Sequence, residues 1–196
     1  MSSIGDSGLY AYLSERNYPA LKENVKLINL KKGALVYDTT IRYTGIFELI
    51  TGVVKLGGTS DKGEDYIYEI VVPGEFFGNL AVLGGDNRFR EFSRTLSPVA
   101  LRSYKADFFK HLRTHEPEVA EWAFTKIVYR WNKTESMLAR IRSFEPRERI
   151  IQLYTQLHQK VIAPNNREVS LHKMVSKKDI ADLTATTRQL VADTVK

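Results

Sequence analysis

The sequence predicts an α+β protein, with a β-rich N-terminal part, one long helix and a C-terminal helical module. Three observations carry that prediction. Between residues 25 and 104, short β-branched and aromatic runs alternate with turn signals. Residues 116–143, EPEVAEWAFTKIVYRWNKTESMLARIRS, hold an unbroken helical period. Residues 175–196 then carry two short, capped segments at helix-turn-helix spacing.

Taken in order, residues 9–24 read as a short helix with Leu9, Tyr12, Leu13 and Tyr18 on one side. The strand candidates follow as VKLINL, a KKG turn at 31–33, ALVYD, GIFELI, GVVKLG, a polar turn at 61–63, and DYIYEIVV. Many short strands at regular spacing indicate a β-sandwich or roll, not a parallel sheet with crossover helices. Pro73-Gly74 closes this run. GEFFGNLAVLGG at 74–85 reads as a turn feeding a short apolar helical segment, and SPVALRSYKADFF at 97–109 as a last strand followed by a short helix.

In the long helix, Ala120, Phe124, Ile127, Trp131, Thr134, Leu138 and Ile141 follow one another in alternating steps of four and three. That places all seven on one seam in a coiled-coil register. Pro117 suits the first turn, Glu118 and Glu121 the positive N-terminal end, and Arg140 and Arg142 the negative C-terminal end. At 1.5 Å per residue the helix is about 40 Å long. Its seam needs a cover, which is either the chain's own domain or a second copy; the pattern alone leaves both open. Phe144-Glu145-Pro146 ends the helix, and ERIIQLYTQLHQKV at 148–161 is amphipathic with Ile150, Leu153, Tyr154 and Leu157 on its apolar face. PNNREVSL at 164–171 is a polar loop or small hairpin. In the tail, Ser176 caps the first helix with Asp179 three residues on, and Thr186 or Thr187 caps the second. Ile180, Leu183, Leu190 and Val191 face each other between them.

The chain of 196 residues is 43% hydrophobic, enough for a real core. No run approaches the ~20 apolar residues of a membrane span, and the N-terminus lacks a basic segment followed by an apolar one, so the expected location is the cytoplasm. With no cysteine, disulfides, thiolate nucleophiles, Cys-ligated zinc and conventional iron–sulfur clusters are excluded. The net charge of +6 is uneven: residues 1–139 hold 18 Lys/Arg against 17 Asp/Glu (+1), residues 140–196 hold 11 against 6 (+5). A basic excess confined to the C-terminal quarter is what an attached nucleic-acid-binding module produces.

The order of a β-roll containing PGEFFGNL (73–80), a heptad helix and a C-terminal DIADLTATTRQ (179–189) resembles the Crp–Fnr superfamily of bacterial transcription regulators. The resemblance covers nearly the whole chain. It implies an N-terminal double-stranded β-helix of the cyclic-nucleotide-binding kind (1–116), a dimerisation helix (117–143) and a helix-turn-helix domain (144–196) whose two-stranded wing is missing from the sequence. Gly52 in ITGVVK matches a strand turn, and 73–80 the entry to the phosphate cassette. Relatives that bind cyclic AMP carry a glutamate after the second glycine and an Arg-Ser pair further on; Asn79 and Phe89-Arg90 stand there instead. The effector-binding residues implied are therefore Gly78, Asn79, Leu80, Arg88, Phe89, Arg90, Thr134 and Glu135, for a cyclic nucleotide or another small anion. Gly74 and Gly78 otherwise only permit tight turns, and Thr134 otherwise only sets the register of a coiled coil.

For DNA, the resemblance implies Arg188 and Gln189 at the start of the recognition helix, with Ser176, Lys177, Lys178 and Thr187 around them. Arg suits guanine and Gln adenine in the major groove, and lysines suit phosphates. Asp193 replaces a customary basic residue, and Ala185 the customary turn glycine. The implied dimer interface is Phe124, Ile127, Trp131, Thr134, Leu138 and Ile141. Implied partners are near-palindromic double-stranded DNA, a second copy and RNA polymerase, with no membrane. His111 and His115 are four apart but have no evident third metal ligand, and no nucleophile elbow, Walker loop or zincin motif is present, so no enzyme is expected. Two rivals remain: an effector-independent DNA-binding dimer, and a ligand-binding module with a degenerate DNA-binding domain.

Overall fold

The computed structural model describes residues 4, 8–38, 45–78, 91–162 and 167–195. The first helix read from sequence is two: α1 (Gly8–Glu15) and α2 (Leu21–Asn24). Asn17 and Ala20 both take positive φ, 49° and 56°, and break the continuous helix expected over 9–24. Leu9, Tyr12 and Leu13 are buried as expected, against Ile46, Tyr104, Phe109, Leu112 and Val119.

Eight strands follow: β1 (Val25–Leu30), β2 (Leu35–Tyr37), β3 (Gly45–Thr51), β4 (Val54–Thr59), β5 (Asp65–Val71), β6 (Phe76–Gly78), β7 (Glu91–Thr95) and β8 (Val99–Lys105). They form two four-stranded antiparallel sheets, ordered β1-β8-β3-β6 and β2-β7-β4-β5. Their inward side chains, Tyr37, Phe47, Leu49, Val54, Leu56, Phe77 and Leu101, meet between the sheets. This is the β-roll that the strand spacing predicts. Of the stretch read as a turn feeding a helix, Phe76–Gly78 is strand β6; residues 79–85 lie outside the described residues.

Helix α3 (Ala106–His115) leads directly into α4 (Pro117–Ser143), with Glu116 extended between them and Pro117 opening the second helix. Phe144 and Glu145 are extended, as the residue before Pro146 must be, and α5 (Pro146–Gln156) starts there. A hairpin of β9 (Lys160–Ile162) and β10 (Glu168–Ser170), a 3-10 turn, and helices α6 (Lys177–Thr184) and α7 (Arg188–Thr194) complete the chain. Ile180, Leu183 and Val191 are buried between the last two helices. They share one core with Val53, Ile67, Ile70, Phe92 and Leu96 of the roll, so the C-terminal module is docked on the roll by apolar contact. Among the described residues no helix is long and apolar enough to cross a membrane.

Gly52 sits at that junction. Its φ is +85°, its N–H donates to the Ile162 carbonyl at 3.0 Å, and a Cβ there would lie 2.2 Å from the Pro98 carbonyl oxygen. Gly63 has a similar φ of +80° with open space around it. Gly63→Ala is expected to cost about 1 kcal/mol from backbone strain alone, and Gly52→Ala at least ~2 kcal/mol more because backbone must move. Thermal unfolding of the two variants checks this; equal losses would contradict it.

Candidate effector cleft and nucleic-acid interface

Helix α4 has two unlike faces. Phe124, Trp131 and Leu138 of the heptad seam are 66%, 65% and 59% exposed, and Ile127 and Thr134 are exposed as well, while Ile141 is half-buried. Between seam and roll the helix instead presents Val119, Ala123, Lys126, Arg130 and Lys133. Arg130 meets Glu69 of β5 at 2.7 Å; Lys133 meets Glu69 at 3.3 Å, Glu75 at 3.0 Å and the Ile70 carbonyl at 3.0 Å. Burial works against both cations, but the carboxylates outweigh it and hold each pKa above its ordinary value. Glu75 also accepts from the Val72 N–H at 2.9 Å across the Pro73-Gly74 turn, and Trp122 packs edge-on against Phe76 with centroids 4.6 Å apart. The entry to the cassette is thus tied to α4 at two successive residues.

Two clefts open along this junction. One, of about 520 Å³, lies against Glu48, Glu75, Trp122, Lys126 and Arg130. The other, of about 750 Å³, lies where roll, α4 and α5 meet, lined among others by Tyr68, Tyr129, Lys133, Thr134, Met137 and Arg140. Both are within the range of small-molecule sites. Thr134 lines the larger one and its hydroxyl donates to the Arg130 carbonyl at 3.0 Å. Glu135, next to it, is exposed. Gly78 ends β6 with φ +127°, and a Cβ there would sit 2.5 Å from the Gly45 carbonyl oxygen, so the close approach it permits is to strand β3. Asn79, Leu80, Arg88, Phe89 and Arg90 lie outside the described residues.

Inside the roll, the Tyr37, Phe47 and Phe77 rings form a triangle, with centroids 5.7 Å apart for Tyr37 and Phe47, 5.2 Å for Phe47 and Phe77, and 6.2 Å for Tyr37 and Phe77. The Tyr37 hydroxyl donates to the buried carboxyl of Glu91. Burial pushes Glu91 up to about 7, although the Tyr37 hydrogen bond and the Arg130 charge both act to lower it. None of Glu69, Glu75, Glu91, Arg130 or Lys133 was marked as a site residue by the sequence reading. The steps of four and three from Lys126 to Arg130 to Lys133, parallel to the seam, are the signal that points to the two cations. Nothing local marks Glu91.

In the C-terminal module the residues expected at DNA have divided roles. Ser176 caps α6: its hydroxyl accepts from the Asp179 N–H at 3.1 Å and donates to the Asp179 carboxylate at 2.7 Å. Thr187 caps α7 by accepting from the Leu190 N–H at 3.2 Å. Lys178, read as a phosphate contact, instead donates to the Asp65 carbonyl of the roll at 2.9 Å and meets Asp182 at 3.0 Å. Lys177, Arg188 and Gln189 are exposed. Ala185 takes the turn with φ 49°, a left-handed position that favours the glycine it replaces. Two further contacts, unmarked in the sequence, pin α6 to the roll: Lys55 to the buried Asp179 at 2.6 Å, and the Ile67 N–H to Asp182 at 3.2 Å. Burial opposes the Asp179 charge, yet the Lys55 and Ser176 hydrogen bonds leave its pKa below the ordinary value. His111 and His115 stack with centroids 4.1 Å apart on the surface of α3.

A β-roll, a long helix with an uncovered seam and a helix-turn-helix thus follow one another in a single chain. The chain is 20% identical over 188 residues, 96% of its length and 84% of the relative's, to a CRP-like cAMP-activated global transcriptional regulator of Mycobacterium tuberculosis. Its fold matches the c-di-GMP responsive global regulator CLP of Xanthomonas campestris with a TM-score of 0.69 at 14% identity, covering 94% of this chain and 89% of that one. A cyclic nucleotide-binding domain containing protein from Listeria monocytogenes matches at 0.67 and 18% identity, covering 94% and 86%. No protein-family model matches the chain. The fold is that of the Crp/Fnr transcription regulators, and the chain resembles them over nearly its whole length.

The Glu91 carboxyl yields a test of the roll interior. A carboxyl whose pKa rises on folding binds more protons in the native state, so it removes stability as pH climbs from an ordinary 4.5 towards 7, and adds no further change above that. Relative to wild type, Glu91→Gln is expected to gain Tm progressively across this window and to hold the gain above it. A wild-type-to-variant difference that stays constant from pH 4.5 to 7 would contradict the burial of this group.

Proposed function

We propose that the chain is a homodimeric DNA-binding transcription regulator in which a sensor roll (1–116), a dimerisation helix (117–143) and a helix-turn-helix unit (144–196) act as coupled parts. The observation that carries this reading is the inversion of α4. Its cations face the chain's own roll while its apolar seam faces outward, an arrangement that wastes burial unless a second copy covers Phe124, Ile127, Trp131, Thr134, Leu138 and Ile141. Pairing along that seam makes two α7 helices available to half-sites of a near-palindrome, about one helical turn apart. The basic excess of residues 140–196 supports a polyanionic partner. RNA polymerase is the further partner of such a regulator, and no catalytic role is inferred.

The effector reading is that a small anion, with a cyclic nucleotide the first candidate, binds between the cassette and α4 using Gly78, Asn79, Leu80, Arg88, Phe89, Arg90, Thr134 and Glu135. Two named likenesses support it, one described as cAMP-activated and one as c-di-GMP responsive. A ligand there would act on Glu75 and Phe76, whose partners on α4 are Lys133 and Trp122. Its effect on DNA binding is limited to its differential affinity for the docked and released positions of the C-terminal module. Release about the hinge at Phe144 and Glu145 requires breaking Lys55–Asp179 and freeing Lys178 from Asp65. One observation favours the effector-independent alternative: the described roll interior is filled by the Tyr37, Phe47 and Phe77 rings and carries Glu91, which is a poor lining for an anion.

Selection of the full chain on randomised duplex DNA, followed by anisotropy titrations over a range of salt, tests the reading. A near-palindrome is expected, with log K falling linearly against log salt. Leu138→Asp, at a position exposed in the single chain, is expected to lower affinity at least tenfold by uncoupling the two half-sites. Enrichment of no sequence by a folded wild-type chain would favour an output through protein contact.

A further inference from the structure

Helix α7 packs Leu190 and Val191 inward and turns Arg188, Gln189 and Asp193 outward, with Ala192 half-buried between them. The outward residues lie at i, i+1, i+4 and i+5, which is one stripe of the helix. Within it the Gln189 side-chain amide donates to Asp193 Oδ1 at 3.0 Å. That bond changes what the stripe offers. A free glutamine amide presents an acceptor and two N–H donors, and one of each pairs bidentately with adenine. Here one of those N–H groups is taken by a carboxylate, which has a second acceptor oxygen of its own. The stripe therefore runs from a donor, Arg188, to acceptors, the Gln189 carbonyl and the Asp193 carboxylate, across the small side chain of Ala192.

We infer that Gln189 and Asp193 act as one acceptor pair that selects bases bearing an exocyclic amine in the major groove, cytosine or adenine, about two base-pair steps from a guanine taken by Arg188. The inference rests on the DNA-binding reading and sharpens it into a base preference. Five residues of helix advance about 7.5 Å, and base pairs follow each other every 3.4 Å along the duplex, which sets the two-step separation. Cytosine N4 and adenine N6 are the amine donors displayed in the major groove, and guanine O6 and N7 suit the arginine fork. Thymine O4 and guanine O6 would face the carboxylate lone pairs, with only the second Gln189 N–H to meet them, and are disfavoured. Ala192 leaves room for a thymine methyl between the two contacts. The carboxylate also repels phosphates, so the pair trades non-specific affinity for discrimination.

The test is a half-site selection with the full chain, comparing wild type, Asp193→Ala, Asp193→Asn and Arg188→Ala, with thermal unfolding to verify that each variant folds. Wild type is expected to favour amine-bearing bases about tenfold at one position, and the balance of cytosine to adenine identifies which amine is read. Asp193→Ala should lose that preference while keeping the guanine, and should bind random DNA more tightly. Asp193→Asn keeps an acceptor for Gln189 but replaces the other oxygen by a donor, so its preference should swing to guanine or thymine at the same position. Arg188→Ala should lose the guanine and keep the amine preference. An Asp193→Ala profile unchanged at every position overturns the pair while leaving DNA binding intact; a wild-type chain that enriches no sequence overturns the DNA reading and the pair together.

Discussion

The fold turns on the ion-pair network that joins α4 to the roll: Arg130 to Glu69, and Lys133 to Glu69 and Glu75. These charges are partly withdrawn from water, so their value lies less in stability than in orientation. Replacing such a network by apolar residues is often neutral, whereas removing one partner leaves a costly orphan. By satisfying its cations inward, the network settles which face of α4 the roll takes. The apolar seam is left for something else, and a helix of this length with four large apolar side chains of its seam uncovered is a surface awaiting a partner.

The same network reaches the two regions that the proposed regulation would connect. Glu75 and Phe76 stand at the end of the Pro73-Gly74 turn, immediately before the cassette, and both are held by α4. At its far end α4 stops at Ser143, and two extended residues separate it from α5 and the helices beyond. The C-terminal module is not a loose appendage. Its core is continuous with the roll through Ile67, Ile70 and Phe92, and α6 is pinned by Lys55 to a buried carboxylate. Movement at either end of α4 is therefore opposed by a packed interface.

Much of this was legible in the sequence because the responsible signals are periodic. The seam of α4, the alternation of short strands with turns and the capping box at Ser176 all follow from local rules. So do Pro117 and Pro146, each opening the helix that follows. The long-range misses share one cause. Glu91 with Tyr37, and Lys55 with Asp179, are separated by 54 and 124 residues and leave no local pattern. The break in the first helix is local instead: Asn17 and Ala20 take left-handed conformations on either side of Pro19, and asparagine and proline are the signals for it that a count of apolar positions passes over. Nothing in the sequence around Lys178 reveals that the Asp65 carbonyl lies across from it.

The central claim is that the outward face of α4 meets the same face of a second copy, in parallel. The absence of native cysteine allows one spin label per chain, at Glu121→Cys or at Arg142→Cys, both exposed and near opposite ends of the helix. Pulsed dipolar spectroscopy on each singly labelled full chain then reads the distance between copies. With helix axes about 8–10 Å apart, a parallel pair gives a short distance, within about 30 Å, at both positions. Long distances at both ends would mean an antiparallel pairing, and no dipolar signal would mean a monomer; either contradicts the account.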